Sequence, residues 1–334
     1  MRMKNLKYRI AIVGGAGFIG KSLAMHLSKK FQVKILDVQT PPEDLKHFVD
    51  YTYCDIRNYQ KVSSSLTNVD LVVHTAIMQI PLINEHKSLG YEVNVKGTQN
   101  ICEVVEDNPK IKGLILAGTW HIIGERDLHG IVDEEFGLRP DKVEGRARLY
   151  ALSKMAQESI VRYYDEMSPK IYGIIRMGTV LGEGMPSRTA ASIFIKKGLR
   201  GEPITPYRHS MHRPMLYVDV KDICRAYEIY ASNVLSGKIL PHQNSLAHIV
   251  NVYYPQPITI LDLSGIIRRI IIEYTEGKVR PTVKILDKNV PSMFKKSDKN
   301  KITVNIERAK LLLELDKLRS PEETLSEIIR KHLR

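Results

Sequence analysis

The stretch YRIAIVGGAGFIG at residues 8–20 constrains this chain more than any other. An apolar run from Ile10 to Val13 stops at Gly14, Gly15, Gly17 and Gly20, and the SLAMHLSKK that follows reads as an amphipathic helix. Strand, glycine turn and helix in that order present bare backbone N–H groups and a helix N-terminus, the arrangement that holds a pyrophosphate. Gly14 permits the tight turn and Gly17 a close backbone approach, with Phe18 and Ile19 opening the helix, while Gly20 lets helix pack on strand. Glycine turns also follow strands for purely structural reasons, so the pattern alone is weak. Here the next β-rich run, 33–36, ends in Asp37, seventeen residues past Gly20. An acid at that place hydrogen-bonds the ribose hydroxyls of NAD and repels the extra phosphate of NADP. The expected cofactor is therefore NAD.

At 334 residues the chain can form one large domain or two linked ones. With 43% hydrophobic and 26% charged residues it is globular rather than disordered. The apolar start at Ile10 is too short and too glycine-rich for a signal peptide, and no run approaches about 18 apolar residues, so no membrane partner is expected. Cys54, Cys102 and Cys224 lack metal or redox spacing, which leads us to expect no metal and a reducing, cytoplasmic setting. The net charge is +13, and residues 278–310 hold ten Lys/Arg against Asp287, Asp298 and Glu307. A solvated basic surface, nucleic-acid binding and attraction of an anionic, phosphate-bearing substrate are the three readings. No aromatic-interleaved basic motif appears, so nucleic acid is not the expected partner.

The first half alternates β-rich runs (9–13, 33–36, 49–54, 71–74, 113–117, 172–176) with helical segments (60–66, 92–107, 149–167). That rhythm predicts an α/β fold with a doubly wound parallel sheet covered on both faces. Beyond Val180 glycines and prolines cluster around a short helix at 189–199. A strand–helix pair at 215–230 reads as a return to the first domain. The tail is expected to hold a helix at 260–274, a basic strand at 279–286 and helical stretches at 306–315 and 321–332. The expected division is a cofactor domain over 1–180, with 213–250 returning to it, and a smaller α/β substrate domain over most of 181–334.

Tyr150-Ala151-Leu152-Ser153-Lys154 is the second strong signal. Positions i and i+4 share a helix face, so the Lys154 ammonium can lower the Tyr150 phenol and also hold a cofactor ribose. A phenol titrates at about 10 unperturbed and needs such a neighbour to act as a base near neutral pH.

With these residues in hand, the chain resembles the extended short-chain dehydrogenases/reductases, in particular the NAD-dependent nucleotide-sugar epimerases and dehydratases of UDP-sugar 4-epimerase type. Gly14, Gly17 and Gly20 match the family's glycine loop, and Asp37 its NAD-selecting acid. Asp55-Ile56 resembles the pair that meets adenine, His74-Thr75-Ala76 the HLAA segment, and Asn94-Val95-Lys96-Gly97-Thr98 the NVxGT helix. Thr119, five residues before Gly124, takes the place of the catalytic Ser/Thr, and Tyr150 and Lys154 fill YxxxK. Arg176, Val180 and Gly182 fit RxxxVxG, RGEPIT at 200–205 matches a substrate-domain phrase, and Arg213 with Tyr217-Val218-Asp219 matches the segment where an Arg meets substrate diphosphate.

The resemblance implies a Rossmann-type sheet with a smaller substrate domain, bound NAD, and transient oxidation of a sugar hydroxyl. It also implies a homodimer paired through helices near 92–107 and 149–165. Tyr150 would take the hydroxyl proton, Thr119 would hydrogen-bond the same oxygen, and the keto intermediate would be reduced again from its other face. Several positions depart from the family. Where dehydratases carry TDE, this chain has Thr119-Trp120-His121, which disfavours 4,6-dehydration. His121 sits where relatives place the residue that moves a proton on a carbon beside the keto group; a histidine can do this, and a packed or pocket-lining ring is the other reading. Trp120 reads as pocket wall. Thr179 replaces an Asn, and Lys295-Lys296-Ser297-Asp298 replaces an Arg-x-Gly-Asp phosphate segment, leaving Lys296 a point charge without bidentate geometry. Arg188, Arg208 and His209 are further phosphate candidates. The expected work is epimerisation of a nucleotide-activated sugar. The alternatives are a dehydrogenase of a small alcohol or ketone, a dehydratase or decarboxylase, and an NAD-sensing protein without catalysis.

Overall fold

The computed structural model describes residues 8–333, and the outermost residues of the expected domain spans lie outside them. The alternating runs become β1 (Arg9–Val13), β2 (Gln32–Asp37), β3 (Asp50–Tyr53), β4 (Leu71–His74), β5 (Gly113–Thr119), β6 (Ile171–Met177) and β7 (Ile249–Val252). They form one sheet in the order β7-β6-β5-β4-β1-β2-β3, and every neighbouring pair is parallel. The chain winds outward from β1 to β3, then restarts at β4 on the other side of β1. A crevice therefore opens at the carboxyl ends of β1 and β4, where such sheets bind ligands.

Both faces of the sheet are covered, which is why its central strands are largely apolar, while the edge strand β3 (DYTY) is not. Ile10, Ile12, Val33 and Ile35 enter one core, and Ala11, Val13 and Leu36 the other. Flanking helices include α1 (Phe18–Leu27), α2 (Gly97–Asp107), α3 (Arg148–Met167) and α4 (Val220–Leu235). Helix α4 packs on α1, and Leu23, Leu27, Ile223 and Tyr227 share one core; Ile101 and Val105 of α2 belong to the other. Among the described residues no helix is long and apolar enough to cross a membrane.

Three elements differ from the sequence expectation. The 215–219 run does not join the main sheet: Pro214–Met215 pairs with Ile258–Thr259, and Tyr217–Asp219 with Thr179–Leu181. The elements that reach the sheet from this region are α4 and β7. The expected strand at 279–286 is reduced to two isolated bridges, Ile204 to Val283 and Tyr207 to Leu286, because Pro281 lacks a ladder donor and the facing 204–207 segment is a loop. The expected helix at 92–107 starts earlier, at Lys87–Tyr91, and crosses a π-type turn at Glu92–Lys96 before α2. The turn belongs to a class that often marks functional positions, and it carries the buried Asn94.

Candidate active site

At the end of β1, Gly14 holds φ +82°, and a Cβ there would lie 2.4 Å from the Ala76 nitrogen. The glycine turn thus rests directly on the loop after β4, where the Thr75 hydroxyl donates to the carbonyls of Val13 (2.9 Å) and Gly14 (3.1 Å). A Cβ on Gly20 would lie 2.3 Å from the Gly14 carbonyl oxygen, so only glycine lets α1 sit this close to the turn. Gly17 is different: a Cβ there would meet only the Gly14 oxygen, at 3.4 Å, and so would occupy the open cradle over the helix start. Gly17 is also the N-cap of α1, with no side-chain cap, which leaves the first-turn N–H groups at Phe18 and Ile19 for an anion.

Asp37 closes this cradle from the end of β2. One of its oxygens accepts the Ala16 N–H at 2.9 Å and the other the Gln39 N–H at 2.9 Å, which fixes a half-buried carboxylate. Farther along, Asp55 accepts from the Arg57 guanidinium at 2.6 and 3.0 Å beside the buried Ile56. Hydrogen bonds from Arg57 hold Asp55 below the usual carboxylate range, against the cost of burial. N–H donors for a pyrophosphate and a fixed carboxylate for a ribose diol fit NAD. We therefore expect the chain to prefer NAD over NADP, and Asp37→Arg to lower NAD affinity at least about tenfold by removing a charge-assisted bond of about 1.5–3 kcal/mol. Titration calorimetry with both cofactors checks this; equal affinities in the parent chain would remove Asp37 from that role.

The reactive groups meet at the end of β5. Thr119 terminates the strand and its hydroxyl accepts the His121 N–H at 3.3 Å. Helix α3 passes alongside with Tyr150 and Lys154 one turn apart on the same face. The Tyr150 hydroxyl is hydrogen-bonded to Thr119, while Lys154 Nζ donates to the Ala117 carbonyl at 2.8 Å. Burial pushes Tyr150 up to about 12, although the Thr119 hydrogen bond pulls the other way. Burial likewise brings Lys154 down to about 7, opposed by the Glu158 carboxylate. Lys154 thus faces a backbone carbonyl, and burial acts against the charged form of both side chains.

Behind these groups lies a layer that holds them in place. Asn94 accepts from the Met78 N–H at 2.7 Å and donates to the Met78 carbonyl (3.1 Å) and Ser153 (3.0 Å). Its amide is thus engaged in shaping the loop after β4. Buried His74 contacts Thr98 at 2.9 Å, and burial lowers it to about 3, so it is neutral. Glu158, one turn beyond Lys154, takes both arms of Arg176 at 2.6 and 3.1 Å, with each side chain about 2% exposed.

A cavity of about 250 Å³ opens between the reactive groups and the loops at 77–80, 146–147 and 178–189. Trp120 forms its wall, fully buried, and its Nε1 donates to the Thr179 hydroxyl at 3.1 Å. His121 lines the cavity, stacked on Trp120 at 4.6 Å and edge-on to Tyr150 at 6.2 Å. Its Nδ1 lies 2.9 Å from Glu125, which is enclosed at the cavity floor.

The expected phosphate contacts are not gathered there. Arg213 is buried against Glu144 at 2.5 Å and Glu125 at 4.0 Å, so its guanidinium is engaged by carboxylates. Arg188 and Lys296 are exposed and outside the cavity lining. Arg208 pairs with Asp287 at 3.3 Å, and His209 stacks on Tyr207. Conversely, Gln79, Glu125, Arg146 and Thr189 line the cavity without having been singled out from sequence. For Glu125 a signal existed, since it stands four residues after His121 just as Lys154 follows Tyr150.

Sheet order and glycine turn define a Rossmann-class dinucleotide-binding protein. More particularly, the chain belongs to the NAD dependent epimerase/dehydratase family, whose sequence model matches residues 10–242; its members are NAD-dependent enzymes. Among curated relatives, a putative UDP-glucose 4-epimerase of Methanocaldococcus jannaschii is 29% identical over 229 residues, covering 65% of this chain and 71% of the relative. UDP-glucuronic acid decarboxylase 1 of Danio rerio is 23% identical over 330 residues, covering 96% and 72%. Among solved structures, a UDP-glucuronic acid 4-epimerase of Bacillus cereus in complex with UDP-glucuronic acid and NAD superposes with a TM-score of 0.74 at 23% identity, covering 98% of this chain and all of that one. Such similarity establishes the fold they share.

Proposed function

We propose that this protein epimerises a nucleotide-activated sugar through a transient ketone. The observation that carries the reading is that Thr119, Tyr150 and Lys154 line one cavity together with Phe18 and Ile19, the first residues after the glycine turn, and Thr75, which is hydrogen-bonded to that turn. The curated relatives and the Bacillus cereus enzyme, all named for UDP-linked sugars, support that substrate class.

The glycine turn and first turn of α1 would hold the pyrophosphate, Asp37 one ribose, Asp55 and Ile56 the adenine side, Thr75 and Ala76 the wall, and Lys154 the second ribose. Asn94 would act through the Met78 loop. Bound there, NAD supplies a hydride acceptor and a positive charge beside Tyr150. That charge would pull the phenol down from its buried position, and as phenolate Tyr150 would accept the hydroxyl proton. Thr119 hydrogen-bonds the same oxygen and orients it. His121 faces the substrate and serves as acid or base at a carbon next to the ketone. Trp120 and Thr179 shape the wall, and Arg188 and Lys296 could reach a diphosphate only from the rim. The homodimer would pair through the helices at 87–107 and 148–167, where Tyr91, Tyr163 and Met167 are 55%, 62% and 70% exposed. Three buried free cysteines suit a reducing cytoplasm.

One observation favours a second reading. Because Arg213 is engaged by Glu144 and Glu125, a substrate without a diphosphate fits the cavity too, which would make the chain a dehydrogenase of a small alcohol or ketone. Thermal denaturation with NAD plus UDP-, GDP- or dTDP-sugars decides. A ligand at a hundred times its Kd adds about 2.7 kcal/mol of stability. We expect one nucleotide sugar to raise the melting temperature and to be converted to a product of equal mass. Loss of carbon dioxide or water would mean decarboxylation or dehydration. No shift with any nucleotide sugar, together with steady reduction of NAD by a simple alcohol, would favour the second reading.

A further inference from the structure

Glu125 stands at the floor of the cavity, and the contacts around it are unusual for a carboxylate so enclosed. Its side chain is about 1% exposed, yet it is held ionised. Burial opposes the charge, but His121, Arg213 and the Glu144 N–H outweigh it and bring Glu125 down to about 2. One oxygen accepts the Glu144 N–H at 2.9 Å; the other lies 2.9 Å from His121 Nδ1 and 4.0 Å from Arg213. His121 Nδ1 and that second oxygen are both enclosed and face each other at 2.9 Å, and neither has a partner that meets hydrogen-bond geometry among the described residues. An anionic carboxylate can only accept, so the imidazole nitrogen facing it must carry a proton.

We propose that Glu125 is a positioning residue for His121: it turns the protonated Nδ1 to its own carboxylate and presents the Nε2 lone pair to the cavity. Arg213 and Glu144 form the clamp that keeps the carboxylate in place. This assigns Arg213 a task other than holding a diphosphate. The inference deepens the role given to His121 above and rests on it for its chemical use. Once the hydroxyl carbon is a ketone, Nε2 takes the hydrogen of the adjacent carbon as a proton. The C–H electron pair becomes a carbon–carbon double bond, and the carbonyl electrons move to the oxygen, which receives the Tyr150 proton. Return of the proton from the imidazolium to carbon reverses the step, so no oxidant or reductant is consumed.

The Tyr150 ring from α3 and the Trp120 ring also face His121, and Arg146, paired with Glu144 at 3.1 Å, lines the same cavity; Glu125 itself is faced by Arg213 and the Glu144 backbone. The carboxylate is the only anion of this set in contact with the His121 ring.

The test is nitrogen-15 NMR of the histidine rings in the full chain with NAD, the His121 signal being assigned by its loss in His121→Asn. In the parent chain we expect the neutral ring to carry its proton on Nδ1. In Glu125→Gln the Nε2–H form should gain at least about tenfold, because the Nδ1 proton loses its anionic acceptor. Glu125→Asp should restore part of that tautomer preference. A parent ring protonated on Nε2 overturns the proposal, whether or not the Gln variant folds; so does a ring unchanged in tautomer in folded Glu125→Gln. Incorporation of deuterium from heavy water into a nucleotide sugar is the separate arm. If the ring behaves as expected and the parent chain reduces NAD with that sugar yet incorporates none, the positioning stands and the carbon-acid role of His121 fails.

Discussion

Tyr150→Phe is expected to slow turnover by about 100- to 10,000-fold, the usual contribution of a positioned proton-transfer group. The replacement removes one oxygen and keeps the ring, so packing against His121 at 6.2 Å is preserved. Thr119 loses its partner in the phenol but still accepts the His121 N–H, so the end of β5 stays in place. The effect should therefore fall on kcat, with little change in NAD affinity or melting temperature. Steady-state kinetics beside thermal denaturation checks this. An unaltered kcat would remove Tyr150 from the chemistry, and a collapse in stability would make its role structural. A second signature concerns pH. Burial raises the phenol and the charge of bound NAD would lower it, so the parent rate should rise with pH until the base form is populated, and that dependence should vanish in the Phe variant.

The largest expected effect on stability comes from Arg176→Met. Its guanidinium makes two hydrogen bonds to Glu158, at 2.6 and 3.1 Å, and a third to the Glu134 carbonyl at 2.8 Å. Removing it leaves Glu158 as a buried charge without its partner, and breaking such a pair from one side costs about 3–5 kcal/mol. Against a total stability of about 5–15 kcal/mol for a typical domain, that is a large fraction. The double replacement Arg176→Met with Glu158→Leu should recover much of the loss, since a well-packed apolar pair of similar volume is often no worse than the ion pair. Urea denaturation of both single variants and the double variant gives the coupling directly. Activity should fall in Arg176→Met as well, because the freed Glu158 sits one turn from Lys154.

What was legible in the sequence were features encoded within a few residues. The glycine turn, the alternation of β-rich and helical runs, and the four-residue spacing of Tyr150 and Lys154 are all local. Backbone geometry converts each of them into a predictable element. Less legible were features made by distant segments. Arg213 meets Glu144 across 69 residues, so no local pattern could show that its charge is engaged. The last sheet strand, Ile249–Val252, follows a short 3-10 turn at Ser245–His248, so the alternation of strand and full helix does not announce it. The 279–286 run has strand-like composition, but Pro281 and an irregular partner prevent a ladder. The substrate side of the cavity is assembled from loops at 77–80, 125, 146 and 178–189, whose meeting depends on the finished fold. The cofactor-side candidates sit at strand ends and one helix start, features that local sequence marks directly.

The central claim is an oxidation that is undone within the same site, and isotope retention tests it most directly. A converted nucleotide sugar bearing deuterium on the carbon whose hydroxyl is oxidised should yield an epimer that keeps the deuterium at that carbon, with no accumulation of reduced NAD. Deuterium appearing instead in free reduced cofactor, with a stable ketone as product, would contradict the account.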